Sequence, residues 1–294
     1  MRFSKSKKAV LYGAVGLLVA LGIVAWVMTR SSAVPPKPAP VAATIEWPHE
    51  EVIGTSVEGR AITAYTYGSG AMKILFVGGM HGGYEWNSVM LAYQFMDYLK
   101  AHPTLVASQL SIAVIPALNP DGLYKVVGTT GRFSAADAST DAAVLASGRF
   151  NAHGVDLNRN FACHWQAKSM WKGREVSEGT AAFSEPESQA LRAYVLAERP
   201  VVVVFWHSQA NAVYASECDE GILPLTTTSM NAYAKAAGYP AVASFDAYPI
   251  TGDSEGWLAS IGIPAITVEL QTHTTIEWDK NLAGIKALLA SVPQ

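Results

Sequence analysis

The sequence predicts an α/β protein: a three-layer α/β/α sandwich around a mixed, largely parallel sheet, preceded by one N-terminal transmembrane helix. Three observations predict it. Short, nearly continuous apolar runs recur at Lys73–Val77, Ser111–Pro116, Val201–Trp206 and Ala265–Leu270, and such runs mark strands buried on both faces. Segments with helical spacing lie between them, which is the alternation of a sheet covered by helices. Ahead of all of these, Ala9 to Met28 is a run of twenty residues without a charge. A helix of that length rises about 30 Å, the thickness of a bilayer's hydrocarbon core.

The N-terminal elements follow in order. Residues 1–8 carry Arg2, Lys5, Lys7 and Lys8 and read as a basic cytoplasmic tail, because positive flanks stay inside. Residues 9–28 are the anchor, which places the rest of the chain outside the cytoplasm, on the cytoplasmic membrane as a single-pass protein. The alternative is a signal peptide cut after Ala33, although secretory cores usually run about 7–15 residues. Either route exports the body. Residues 29–46 form the linker; Ser31 to Thr44 contains four prolines without apolar periodicity and reads as an extended tether.

Residues 47–294 have no repeat, no low-complexity stretch and no second linker, and read as one catalytic domain. The chain of 294 residues is 50% hydrophobic and 15% charged, ordinary for a globular protein. Its net charge is −3 with the four basic residues of the tail included, so the remainder is acidic and gives no electrostatic reason to bind nucleic acid. Trp86–Ala101 has helical spacing. A further helix is expected over Ser184–Leu196, opening with a capping serine followed by proline and acids in the first turn. Cys163 and Cys218 are too few to scaffold this fold; in an exported body they can form one disulfide, the alternative being two buried thiols.

The polar residues of interest sit where strands end, and ligands of α/β sheets gather there. Lys73–Val77 runs into Gly78-Gly79-Met80-His81-Gly82-Gly83-Tyr84-Glu85, and Val201–Trp206 runs into His207-Ser208. Two histidines and a glutamate leave one tetrahedral position open, the pattern of catalytic zinc. Glu269 is embedded in an apolar strand, so it is either paired or has a raised pKa, unless that strand is an edge and the residue points outward. Beside a zinc site it would suit general base and acid work. The stretch from Arg149 to Phe161 supplies two arginines with Asp156, Asn158 and Asn160; arginine grips carboxylates and stabilises oxyanions. Gly252-Asp253-Ser254-Glu255-Gly256 matches the G-x-S-x-G pattern, but no buried strand precedes it and only His273 follows, so a serine hydrolase is rejected.

Taken in order, the His/Glu pair, Asn119-Pro120-Asp121-Gly122, Asp156-x-Asn158-Arg159-Asn160, the strand ending in His207-Ser208 and the strand bearing Glu269 resemble the carboxypeptidase A-type zinc peptidases, including bacterial murein-peptide amidases. The resemblance runs from Ser56-Val57-Glu58-Gly59-Arg60-Ala61-Ile62 to Glu269. It implies one zinc ion held by His81, Glu85 and His207, with Glu269 activating water and Arg149 polarising the scissile carbonyl. Asn158 and Arg159 would grip the terminal carboxylate of a peptide substrate, Asp156 would orient His81, and Tyr248 would cap the substrate. Asn119–Gly122 is expected to be a turn under the site. Asp253 and Glu255 fall where related enzymes line the pocket for the last side chain, and a buried acid there would favour lysine, arginine or the amino end of diaminopimelate. Surface-loop acids are the alternative. The implied activity is a zinc exopeptidase acting outside the membrane, with cell-wall peptides a plausible target. A zinc amidase or deacylase on another carboxylate, or a silent peptide-binding module, are the rivals. One departure stands out: the family motif has two residues between His and Glu, and this chain has three.

Overall fold

The structure is a computed structural model and describes residues 47–245 and 250–293. The expected tail, membrane anchor and linker lie outside the described residues, apart from the body that follows them. Among the described residues no helix is long and apolar enough to cross a membrane.

The chain runs β1 (His49–Thr55), β2 (Ala61–Tyr67), β3 (Met72–Val77), α1 (Trp86–Ala101), β4 (Leu110–Ile115), α2 (Pro120–Val127) and α3 (Ala142–Ser147). It continues through the hairpin β5 (Lys168–Trp171) and β6 (Arg174–Ser177), then α4 (Pro186–Glu198), β7 (Val202–Ser208), β8 (Ala212–Ala215), α5 (Pro224–Ala237) and β9 (Ala241–Val242). The last elements are α6 (Ser254–Ser260), β10 (Ala265–Leu270) and α7 (Trp278–Ser291). The main sheet has the order β1-β2-β4-β3-β7-β10-β8-β9. Its centre, β4-β3-β7-β10, is parallel, while β1-β2, β2-β4 and β10-β8 are antiparallel. The expected mixed, largely parallel sheet is present.

Successive strand residues point to opposite faces. Ile74, Phe76 and Trp206 therefore join one core with Leu91 and Phe95 of α1, Tyr233 of α5 and Leu288 of α7. Leu75, Val77 and Phe205 join the other, with Leu191 of α4 and Trp257 and Leu258 of α6. Both cores contain aromatic rings; Phe76 stacks on Trp206 at 5.2 Å between ring centroids and meets Phe95 edge-on at 4.9 Å. Burial of each such side chain contributes about 1.5–3 kcal/mol, and this two-sided burial fixes the register of the strands that carry the site.

Two local expectations change. The helix expected from Ser184 starts at Pro186, and its N-cap is Glu185 without a side-chain cap bond. The Ser184 hydroxyl instead donates to Glu185 Oε1 and accepts from Asn160 Nδ2, a tertiary use that local propensity does not see. Asn119–Gly122 is not a free turn but the start of α2: Asn119 Oδ1 accepts from the Gly122 amide at 2.8 Å and Pro120 occupies the first helical turn.

The Ser56–Ile62 segment is fastened by a second polar cluster. Asp121, wholly buried, accepts from the Ser56 hydroxyl, the Glu58 amide and Arg60 Nη1 at 2.7, 3.0 and 2.7 Å. Glu187 accepts from the Val57 amide and from Asn151 Nδ2 at 3.1 and 3.2 Å. Glu185 takes the same Asn151 amide at 2.7 Å and the Ser184 hydroxyl at 2.8 Å.

Candidate metal centre

The chain passes from β3 to β4 on one side and later places β7 on the other side of β3. That reversal opens a crevice at the carboxyl ends of β3 and β7, where an α/β sheet binds its ligands. His81 follows β3. His207 is the penultimate residue of β7, which runs to Ser208, two residues further than the apolar run alone implies.

The path from β3 to Glu85 requires glycine. Gly79 and Gly82 have φ of +62° and +45°, a region that side-chain-bearing residues rarely adopt. A Cβ on Gly82 would lie 2.7 Å from the Gly148 carbonyl oxygen, and one on Gly83 would lie 2.4 Å from Val126 Cβ. The residues from Gly82 to Glu85 form a single 3-10 turn, which takes up the additional residue of the spacing and returns Glu85 to the histidine.

His81 Nδ1 lies 2.9 Å from Glu85 Oε1, His207 Nδ1 lies 3.0 Å from Glu85 Oε2, and the two Nδ1 atoms are 3.1 Å apart. All three residues are buried. Their donor atoms fall within 4.8 Å of one another, a group able to hold a metal ion. Two imidazoles and a carboxylate are the donor set of catalytic zinc, whose bonds of about 2.0–2.1 Å put tetrahedral ligands about 3.3 Å apart. The observed separations suit that ion. With both Nδ1 atoms turned inward, each Nε2 must carry the ring hydrogen. Burial alone would raise the pKa of Glu85, but the adjoining histidines outweigh it and hold the carboxyl far below its usual range. Burial likewise opposes charge on His207, yet Glu85 beside it pushes its pKa up to about 9.

Arg149 and Asp156 border this group. Arg149 donates through Nε to Asp156 Oδ2 at 2.8 Å, its Nη2 lies 2.7 Å from the same oxygen, and its Nη1 lies 3.9 Å from Glu85 Oε1. Asp156 Oδ1 is 3.4 Å from His81 Nε2. Despite burial, Arg149 and His81 keep the Asp156 carboxyl well below the usual carboxylate range. Glu269 sits on β10 in register with His207. Because β10 lies between β7 and β8, the edge-strand alternative falls. Glu269 Oε2 accepts from the Ala210 amide at 3.1 Å, and burial, reinforced by Glu85, pushes its pKa up to about 7.

The remaining expected residues line the adjoining ground. Arg159 is buried; its Nη1 donates to the Asn158 carbonyl at 2.6 Å, whereas its Nε has no hydrogen-bond partner. Asn158 Oδ1 accepts from the Ser254 amide at 2.9 Å and lies 3.0 Å from the Ser254 hydroxyl oxygen, tying this pair to the start of α6. Asp253 is the N-cap of α6, accepting from the Gly256 amide at 2.7 Å; burial, then Glu255, raises its pKa to about 6. Glu255 is 5% exposed, so it is not a surface-loop acid. Ser254 is buried and its hydroxyl is engaged by Asn158 and Glu255, consistent with rejecting it as a nucleophile. Cys163 and Cys218 form a disulfide, and the Cys163 carbonyl accepts from the Gly252 amide at 2.7 Å. Tyr248 lies outside the described residues.

Several neighbours of the site were not read from the sequence. Trp171 lays its ring over the Arg149 guanidinium at 4.5 Å and meets Tyr84 edge-on at 5.2 Å. It rides on the β5–β6 hairpin, whose turn residues Lys172 and Gly173 both have positive φ, as a type I′ turn demands. The only sequence signal was this Lys-Gly pair. His273 Nδ1 lies 2.7 Å from the Ser208 hydroxyl, which donates to Asn87 Oδ1 at 3.0 Å.

Comparison with known proteins agrees with this geometry. The zinc carboxypeptidase family model matches residues 48–279. A γ-D-glutamyl-L-diamino acid endopeptidase of Lysinibacillus sphaericus is 24% identical over 242 residues, 76% of this chain and 60% of that protein. The chain spans between about half and three fifths of the curated relatives it matches. Among solved structures, the murein-tripeptide amidase of Escherichia coli O157 has a TM-score of 0.62 at 23% identity, covering 87% of this chain and 98% of its own. Carboxypeptidase A of Helicoverpa armigera gives 0.63 at 18% identity, covering 84% and 70%. At these identities the structural likeness establishes the fold.

Proposed function

The chain belongs to the zinc carboxypeptidase family and is a hydrolase of that type, and on this basis we propose that it is a zinc-dependent exopeptidase that removes the C-terminal residue of peptides outside the cytoplasmic membrane. The observation that carries this reading is the convergence of His81, Glu85 and His207 in one crevice with Glu269 and Arg149 at its margin. Zinc held by those three residues would supply a Lewis acid that activates water and polarises a carbonyl. Glu269, whose pKa of about 7 lies near neutrality, accepts the proton of the attacking water and returns it to the leaving nitrogen. Arg149, braced by Asp156 and Trp171, offers Nη1 to the developing oxyanion. Asn158 and the unpaired Nε of Arg159 take the substrate's terminal carboxylate.

For the terminal side chain, Asp253 and Glu255 favour a cation, because two acids share the start of α6 and raise the pKa of Asp253. A peptide ending in diaminopimelate or lysine fits that chemistry, and one relative named for a murein tripeptide and another named for a γ-D-glutamyl-L-diamino acid bond lend support. The uncharged stretch at residues 9–28 supports a membrane anchor with the body on the outer face, tethered by residues 29–46. A zinc amidase or deacylase acting on another carboxylate is the second reading, supported by the amidase relative. The test is product analysis with peptides ending in lysine, diaminopimelate or phenylalanine, each with a free or amidated terminus, with and without chelator. Release of the last residue from free-terminus peptides, abolished by chelator and slowest for phenylalanine, is expected. Equal cleavage of amidated peptides would overturn the exopeptidase reading, and a clear preference for phenylalanine would overturn the cationic pocket.

A further inference from the structure

The two histidines of the cluster are oriented alike. Each turns Nδ1 toward Glu85, and each keeps Nε2 buried without a hydrogen-bond partner. A buried imidazole N–H with no acceptor costs about 1–3 kcal/mol, so the nearest acceptor matters. For His81 it is Asp156 Oδ1 at 3.4 Å. For His207 it is Glu255 Oε1 at 3.6 Å. Both carboxylates stand a few tenths of an ångström beyond an ordinary N–H···O bond.

We propose that Glu255 is the hydrogen-bond acceptor for His207 Nε2–H, a positioning residue that fixes the tautomer and ring orientation of this metal ligand. The inference rests on the zinc reading of His81, Glu85 and His207. Glu255 is held for the task. The Ser254 hydroxyl donates to its Oε2 at 2.8 Å and the Thr267 hydroxyl to its Oε1 at 2.8 Å. Each carboxylate oxygen accepts two bonds, so Oε1 keeps a free acceptor site beside His207. The strands provide the register: Thr267 pairs with Phe205 and Glu269 with His207. Residues 267 and 269 therefore share one face of β10, the first fastening Glu255 and the second facing the reaction. The donor set is thus closed by carboxylates on both sides, Asp156 behind His81 and Glu255 behind His207. Such outer partners raise ligand basicity, and their loss typically costs about 10–100-fold in metal affinity.

The test is zinc affinity of the full-length chain by competition with a chromophoric chelator, comparing the parent with Glu255→Gln and Glu255→Asp. Glutamine replaces the charged acceptor with a neutral amide, and aspartate withdraws the carboxylate by one methylene. Each is expected to weaken zinc binding at least tenfold while the metal-free protein melts within a few degrees of the parent. A zinc Kd within twofold of the parent in either folded variant overturns the proposal. So does a change confined to KM for lysine-ended peptides, since Glu255 would then act only on the substrate. If the parent itself binds no zinc tightly, the ligand assignment fails first, and the two failures are distinguished by which protein shows them.

Discussion

Two buried polar clusters in this protein use nearly the same side chains, and they differ in whether their hydrogen bonds are complete. Around Asp121, both carboxylate oxygens meet donors from Ser56, Glu58 and Arg60, and Glu187 and Glu185 share the amide of Asn151. Around His81, the two Nε2 atoms and the Nε of Arg159 are buried without partners, and two ring nitrogens face each other at 3.1 Å. A complete network rigidifies, whereas an incomplete one is stable only if something else completes it. The first cluster is a clasp between β1–β2, α2 and α4. The second is arranged for a cation and a substrate.

The contrast can be broken or sharpened by mutation. The largest effect is expected for Glu269→Gln, which should lower turnover by about 10²–10⁴-fold, the scale of general base catalysis, while zinc content by metal analysis stays at that of the parent. A variant with near-parental turnover would remove Glu269 from the chemistry. Next, Asp121→Ala removes the acceptor of the buried Ser56 hydroxyl and of the Glu58 amide, and leaves Arg60 with Glu58 alone. It should destabilise the fold by about 1–3 kcal/mol in denaturant titration, the scale of leaving a buried donor unsatisfied, with zinc affinity of the folded fraction unchanged. If zinc affinity fell with stability, the clasp and the metal centre would be one unit rather than two.

The smallest effect concerns protons. In the metal-free protein His207 has a pKa of about 9, raised by Glu85 against the effect of burial. The unfolded value is about 6.5, so this contribution to stability is complete below about pH 6.5 and is lost as pH rises through 9. Zinc needs the neutral ring and must displace that proton. Zinc uptake at pH 7 should therefore release about one proton, measured from the buffer dependence of the calorimetric heat. The zinc-induced rise in Tm should be larger at pH 9 than at pH 6.5. A pH-independent rise would mean that His207 is already neutral before the metal arrives.

The parts that were legible in the sequence are those where burial is two-sided. Lys73–Val77 and Val201–Trp206 could be read as central strands because both faces are apolar, and His81 and His207, which follow them, were legible for the same reason. Trp86–Ala101 matches α1 at both ends. The strands β1, β2, β5 and β6 were not read, because each is exposed along part of its length and its pattern is diluted by polar residues, and the four residues of β8 are too few to show a period. Trp171 was missed because its partner, Arg149, is supplied by folding rather than by neighbouring sequence. Glu255 was read as a substrate contact from its place in a motif. Its approach to His207 depends on α6 packing against β10, a relation that no local pattern encodes.

The turn from His81 to Glu85 shows that a ligand motif is set by a chord in space and not by a count along the chain. The third intervening residue fits because the facing backbone, at the end of α3, carries no side chain. A Cβ on Gly148 would lie 2.5 Å from Val126 Cγ2 and 3.0 Å from the Tyr84 amide nitrogen. The longer interval at one segment and the bare backbone at the other are thus matched in space. With this spacing, a side chain where Gly148 stands would press on both Val126 and the Tyr84 amide.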